Sequence, residues 1–169
     1  MQTKVVVAVV AAGIAVGFAA GRWTAPQGAV MPPAVPLDRD ALVVRIGDGD
    51  TVEVSPLAHP DRREKVRLIG LNAPGKGEKY YDEAQRALAG LVADRQVEIE
   101  FEVKGVPARD EHNRVLGYLF VDDQNVNVEM VRLGWSKFST KHGGGRFADD
   151  LNKAEEEART ARAGLWAGQ

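Results

Sequence analysis

Between residues 97 and 104 the side chains alternate without a break. Val97, Ile99, Phe101 and Val103 are apolar, and Glu98, Glu100, Glu102 and Lys104 between them are charged. Successive side chains of a strand point to opposite faces, so an extended segment sorts this pattern into one dry face and one wet face, whereas a helix would scatter it. A sheet with one side in water is therefore the first constraint on the fold. Other short segments join it. Leu42 to Ile46 reads as a strand, Gly47-Asp48-Gly49-Asp50 supplies turn chemistry, and Thr51 to Val54 returns as the second arm of a hairpin. Lys65 to Leu71 reads as a third strand. Val115 to Val121 (VLGYLFV) is a fifth, entered from the polar turn RDEHNR.

Three helices interleave with and follow these strands. In 79–93 the apolar residues Ala84, Leu88, Leu91 and Val92 fall on one face, with Asp82 and Glu83 near the start, where a helix favours negative charge. The spacing predicts a second helix over 127–134, with Asn127 as N-cap and Gly134 as its stop. A third, at about 147–162, places Phe147, Leu151, Ala154, Ala158 and Ala161 on one stripe and ends before Gly164. The expected class is α+β, and five strands suit a small closed barrel of the OB-fold type.

The N-terminal part is of another kind. Residues 1–37 contain two charged side chains, Lys4 and Arg22, and the seventeen residues between Val5 and Gly21 contain none. An apolar helix of that length lies at the lower edge of what spans a bilayer. It reads either as a cleaved secretory signal, with Ala19, Ala20 and Gly21 near the cut, or as an uncleaved anchor. The run exceeds the ~7–15 residues of a signal h-region, and Trp23 stands where an interfacial aromatic is expected, which favours the anchor. Residues 1–23 are thus expected to be a signal anchor or signal peptide, with membrane contact through 5–21. Residues 24–40, with Pro26, Pro32, Pro33 and Pro36, are expected to be an extended linker, and 41–169 a globular domain outside the cytoplasm. Cleavage would instead leave the domain secreted or periplasmic.

The charged N-terminal residues are both basic. The whole chain has 22 basic and 24 acidic residues, so 38–169 carries a formal net charge of −4. An excess of basic charge, the usual footprint of a nucleic-acid binder, is absent. No cysteine is present, which excludes disulfides, thiolate metal sites and cysteine nucleophiles. His59, His112 and His142 are far apart in sequence and have no zinc-ligand spacing.

Two features of the domain carry chemistry. Asp48 and Asp50 flank Gly49 on a tight turn; they offer oxygen ligands to a hard cation, or serve the turn alone. Arg67 stands in an apolar strand (VRLIGL) and Arg114 opens another. A guanidinium in such a place needs an anion, either a structural carboxylate or a ligand phosphate.

Together these segments resemble the staphylococcal nuclease, or thermonuclease-like, family. VVRIGDGDTVEV resembles its first hairpin, VRLIGLNAP its arginine-bearing strand and Asp-Thr-Pro-Glu turn, KYYDEAQRAL the helix that follows, and DEHNRVLGYLF the turn with the second arginine. VNVEMVRLGWSK and the final amphipathic helix agree as well, so the likeness runs over about 41–167. It implies a five-stranded OB-fold barrel with three helices that hydrolyses DNA and RNA phosphodiesters with calcium. By that resemblance Arg67 and Arg114 grip the phosphate as catalytic residues, and Asp48, Asp50 and Asn72 occupy the metal-binding positions.

Three departures bear on activity. The family's second metal aspartate is Asn72, its threonine is Ala73, and the glutamate that orients or deprotonates the attacking water is Gly75. An amide offers oxygen without charge, so calcium should bind weakly, and losing a positioned base forfeits a factor of ~10²–10⁴. Glu78 reaches back to this position if the Gly75–Gly77 loop bends, and otherwise is a solvated loop residue. Of the two tyrosines on which the family stacks a base, Thr140 and His142 stand in their places. The loop KHGGGRF, with Lys137, Lys141, His142 and Arg146 in or beside it, either tracks phosphates or is merely solvated. Two functions are therefore open: an exported, membrane-tethered nuclease of reduced activity making weak, local contact with single-stranded DNA or RNA, or a catalytically inactive OB-fold module that binds nucleic acid or protein.

Overall fold

The computed structural model describes residues 40–143 and 145–168. The expected N-terminal apolar helix (1–23) and all but the last residue of the Pro-rich linker (24–40) lie outside the described residues. No helix among the described residues is long and apolar enough to cross a membrane.

Five strands form a closed barrel: β1 (Asp40–Asp48), β2 (Thr51–Pro56), β3 (Glu64–Leu68), β5 (Gln96–Glu100) and β7 (Val115–Val121), with the two-residue β4 (Leu71–Asn72) and β6 (Ala108–Arg109) between them in sequence. The long strands lie in the order β3-β2-β1-β5-β7. The barrel closes where β3 pairs with β7 in parallel, Val66 opposite Val115 and Leu68 opposite Gly117. Three further short elements, β8 (Gln124–Asn125), α2 (Val126–Arg132) and β9 (Lys137–Phe138), follow β7, and α1 (Tyr81–Val92) and α3 (Ala148–Thr160) complete the domain. Inward side chains of alternating strand positions, among them Val52, Val54, Val66, Val97, Ile99, Val115 and Leu119, are buried together with Leu88 and Val92 of α1 and Met130 and Val131 of α2. Each such side chain contributes about 1.5–3 kcal/mol through its removal from water.

The alternation at 97–104 holds only as far as Phe101. Val103 is 62% exposed, because the strand ends at Glu100 and the chain turns back on itself, the Val106 amide donating to the Val103 carbonyl at 2.9 Å. The third strand is broken at Gly70, which has φ +83; a Cβ there would lie 2.5 Å from a methyl of Leu151. Beyond that break β4 leaves the barrel and pairs with β9, Asn72 opposite Lys137.

The N-cap of α2 is Asn125 rather than Asn127; its side chain accepts from the amides of Asn127 and Val128. Asn127 is instead wholly buried. Its Nδ2 donates to the carbonyls of Ile69 (2.8 Å) and Gly117 (3.3 Å), and its Oδ1 accepts from the Leu119 amide (3.0 Å), so one side chain ties α2 to the β3–β7 closure. On α3 the stripe Leu151, Ala154 and Ala158 is buried, whereas Ala161 lies beyond the helix and is exposed.

Candidate functional site

The tip of the β1–β2 hairpin carries the first components. Gly49 has no side chain because there is no room for one: a Cβ would sit 2.7 Å from that of Ala73 and 2.8 Å from that of Ala84. The tip therefore packs directly on the segment after β4 and on α1. Gln85 and Tyr81 of α1 hold it from the other side by donating to the Gly47 carbonyl, at 2.9 and 3.3 Å.

This packing fixes Asp50, which is only 7% exposed. Its Oδ1 accepts from the Thr51 hydroxyl (3.1 Å), and its Oδ2 accepts from the Ala73 amide (3.2 Å) and lies 2.9 Å from Nη2 of Arg67. Asp48 stands beside it and accepts from the Asp50 amide at 3.2 Å. Burial pushes the Asp50 carboxyl up to about 6 from 3.8; Arg67 opposes that rise and the neighbouring Asp48 adds to it. The same burial pulls the Arg67 guanidinium below its usual range against the attraction of Asp50, with Arg114 adding to the pull.

Arg67 comes to this place through the pairing of β2 with β3, which sets it opposite Thr51. Besides Asp50, it donates to the carbonyls of Leu68 and Leu71, both at 2.9 Å. Its charge is thus held beneath the hairpin tip by backbone oxygens from both sides of Gly70.

Arg114 approaches from the turn before β7. Asp110 grips its Nε and Nη2, each at 2.7 Å, and also accepts from the amides of His112 and Arg114. Desolvation would raise the Asp110 carboxyl, but these hydrogen bonds outweigh it and hold the group below its ordinary value. The Nη1 of Arg114 donates to the Thr51 hydroxyl at 3.3 Å, which links it to Asp50 through one side chain. Sequence reasoning did not single out Asp110. Its signal is a carboxylate four residues before the arginine in a turn, with Asn113 at φ +60.

The structure therefore brings Asp48, Asp50, Arg67 and Arg114 together. Asn72 is one residue from the Ala73 amide that binds Asp50, and it is exposed. Two carboxylates and an amide are all-oxygen donors, which suits a hard cation. Among the described residues no group of three or more His, Cys, Asp or Glu is placed to hold a metal ion. All three side chains offer oxygen, the ligand type that calcium takes.

Glu78 does fold back. Its Oε2 accepts from the Gly75 amide at 2.7 Å, and a Cβ on Gly75 would lie 3.9 Å from its carboxylate carbon. The basic loop divides in two. Arg146 is anchored, its Nη2 2.5 Å from Glu100 and its Nη1 donating to the Phe101 carbonyl, while its amide donates to Glu102. His142 lies within electrostatic reach of Arg67: desolvation, then the charges of Arg67 and Lys141, lower its pKa.

Residues 65–168 match the family described as staphylococcal nuclease homologue. Among curated relatives, Protein ParB of Escherichia coli is 37% identical over 134 residues, covering 73% of this chain and 70% of that protein. An uncharacterized endonuclease of Escherichia coli is 31% identical over 79% of this chain and 81% of its own length. A micrococcal nuclease of Shigella flexneri is 32% identical over 73% of this chain and 71% of its own.

Proposed function

The chain belongs to the staphylococcal nuclease family, and from that premise we propose that it hydrolyses phosphodiester bonds of single-stranded DNA or RNA with loosely held calcium, more slowly than a nuclease with a full set of carboxylates. The observation that carries this reading is the convergence on Asp50: Arg67 at 2.9 Å, and Arg114 through the Thr51 hydroxyl.

The reaction is an in-line displacement in which water attacks phosphorus, one sugar oxygen leaves, and negative charge accumulates on the other phosphoryl oxygens. Arg114 lines a cleft of about 250 Å3 with Asp48 and Thr51, and its guanidinium, oriented by Asp110, binds that phosphate. Fixed donors aimed where charge develops are the usual main source of rate enhancement. Arg67 holds Asp50 in place and adds its charge behind the phosphate. Calcium held by Asp48, Asp50 and Asn72 would act as a Lewis acid on a phosphoryl oxygen. The proton of the attacking water passes to Glu78, which lines the neighbouring cleft with Asn72 and Ala73 and whose carboxylate is held through Oε2 by the Gly75 amide. The neutral Asn72 and the side-chainless Gly75 support the expectation of a reduced rate.

The apolar run at 5–21 and the proline-rich segment after it support export and tethering to a membrane. The test of function is incubation of the full chain with single-stranded DNA and with RNA, titrating calcium, beside Arg114→Ala. Cleavage that requires the metal and falls roughly 100-fold or more in the variant is expected. Absence of metal-dependent cleavage would leave the OB-fold binding module in its place.

A further inference from the structure

Asp50 is hydrogen-bonded to a lining residue of each of two clefts. The first contains Asp48, Thr51 and Arg114. The second, of about 340 Å3, contains Asn72, Ala73, Lys79, Tyr80 and Lys137. Asp50 lies between them: its carboxylate accepts from the Thr51 hydroxyl of the first and from the Ala73 amide of the second. A polymer whose phosphate is held at Asp50 and Arg114 must continue on both sides of that phosphate.

We propose that the second cleft is a nucleotide subsite: it takes the nucleotide adjoining the hydrolysed phosphate, with the base against the Tyr80 ring and the next phosphate between Lys79 and Lys137. This rests on the nuclease reading, which places the hydrolysed phosphate at Asp50 and Arg114. The volume lies within the about 300–1,000 Å3 of ordinary small-ligand sites.

Three placements give the cleft its chemistry. Strand pairing sets Lys137 opposite Asn72, so one cation stands beside the last of the proposed metal ligands, with its Nζ 5.4 Å from the centre of the Trp166 ring. Lys79 lies with its Nζ 4.4 Å from the centre of the Tyr80 ring. Among the described residues neither lysine forms an ion pair, so on a domain with a formal net charge of −4 this concavity sets two cations against the single carboxylate of Glu78. Glu78 lines the same cleft, but its carboxylate is turned onto the Gly75 amide.

Tyr80 is held there at a cost in backbone strain. It precedes α1 with φ +71, a left-handed conformation that bulky residues rarely adopt, and its ring meets Trp135 edge-on at 6.2 Å. The half-buried ring keeps surface toward the cleft. Ring and cations are the pairing by which single-stranded nucleic acid is held without regard to sequence, the base on an aromatic face and the backbone on positive charge.

The experiment uses the full chain and a fluorescein-labelled phosphorothioate oligothymidylate octamer, which keeps its charge and resists hydrolysis. Binding is read by anisotropy at fixed calcium over a series of salt concentrations. Each lost phosphate contact lowers the log–log salt slope by roughly 0.7 for a single strand, so Lys79→Ala with Lys137→Ala, which together release the one phosphate between them, should lower it by roughly 0.7. At fixed salt Tyr80→Leu should weaken binding roughly 5- to 100-fold, and Tyr80→Phe should bind as the unaltered protein does. Wild-type slope and affinity in the lysine and leucine variants would overturn the proposal, as would failure of the unaltered chain to bind the octamer. The nuclease reading fails separately: a chain that binds the octamer through these residues yet leaves the ordinary phosphodiester intact has the subsite without the reaction. A chain that cleaves while all variants bind unchanged has the reaction without the subsite.

Discussion

Replacing Asp50 by Asn removes a negative charge from a position only 7% exposed, while keeping the side chain's size and an oxygen to accept from the Ala73 amide. Two effects oppose each other. Burial disfavours the carboxylate, and Arg67 at 2.9 Å favours it. The carboxyl is pushed up to about 6, so burial wins. The folded protein then keeps the Asp50 proton over a range where the unfolded chain has released it, and stability falls as pH rises from about 4 to about 6. The rise from 3.8 to about 6, at 1.36 kcal/mol per pH unit, corresponds to about 3 kcal/mol. An Asn resembles the protonated acid at every pH. Asp50→Asn should therefore be more stable than the unaltered protein by about 3 kcal/mol above pH 7, with the difference vanishing below about pH 4. Urea denaturation at a series of pH values measures it. Saturating calcium should narrow the gap, because a cation at 100 times its Kd adds about 2.7 kcal/mol to the protein that binds it. A variant less stable at pH 7, or a difference that does not change with pH, would refute the reasoning and show that the ion pair outweighs burial.

Asn127→Ala leaves the Leu119 amide and the carbonyls of Ile69 and Gly117 without their side-chain partner, and should lower stability to urea by at least about 3 kcal/mol. Gly49→Ala forces a Cβ to within 2.7 Å of Ala73; it should cost about 1–3 kcal/mol by overpacking and slow cleavage at least ~10-fold by displacing Asp50. Gly75→Glu together with Asn72→Asp should tighten calcium binding, read by calorimetry, and raise the cleavage rate by ~10²–10⁴. Glu78→Gln should slow cleavage by ~10² in the unaltered background and change little once Gly75→Glu is present.

Elements whose pattern is set by their own residues were legible in the sequence. The apolar run of β7 and the one-faced helix α1 form where periodicity places them. Features decided by distant partners were not. Either Asn125 or Asn127 suits an N-cap, and the choice turns on backbone groups of Ile69, Gly117 and Leu119 that need a buried amide. Val103 continues a perfect alternation but meets no core beyond Phe101. At the site, the grouping of Asp48, Asp50, Arg67 and Arg114 was legible only through the family resemblance of the segments that carry them; taken singly, the turn and the two arginines suit structural roles as well. Asp110 was not, because a carboxylate in a polar turn has no distinctive neighbours in sequence, and its value comes from its contacts with Nε and Nη2 of Arg114, which give that guanidinium a defined direction. For Arg146 the loop suggested either a phosphate contact or a solvated side chain, and the structure instead sets its guanidinium on Glu100 and on the Phe101 carbonyl, 45 residues away.

Phosphodiester cleavage by folded Asp50→Asn compared with the unaltered chain, at saturating calcium and pH 8, tests the central claim most directly. Because this variant is expected to be at least as stable as its parent, loss of rate cannot come from unfolding. The account predicts a fall of roughly 100-fold or more with the fold intact by circular dichroism. Equal rates in the two proteins would contradict it and remove Asp50 from the chemistry.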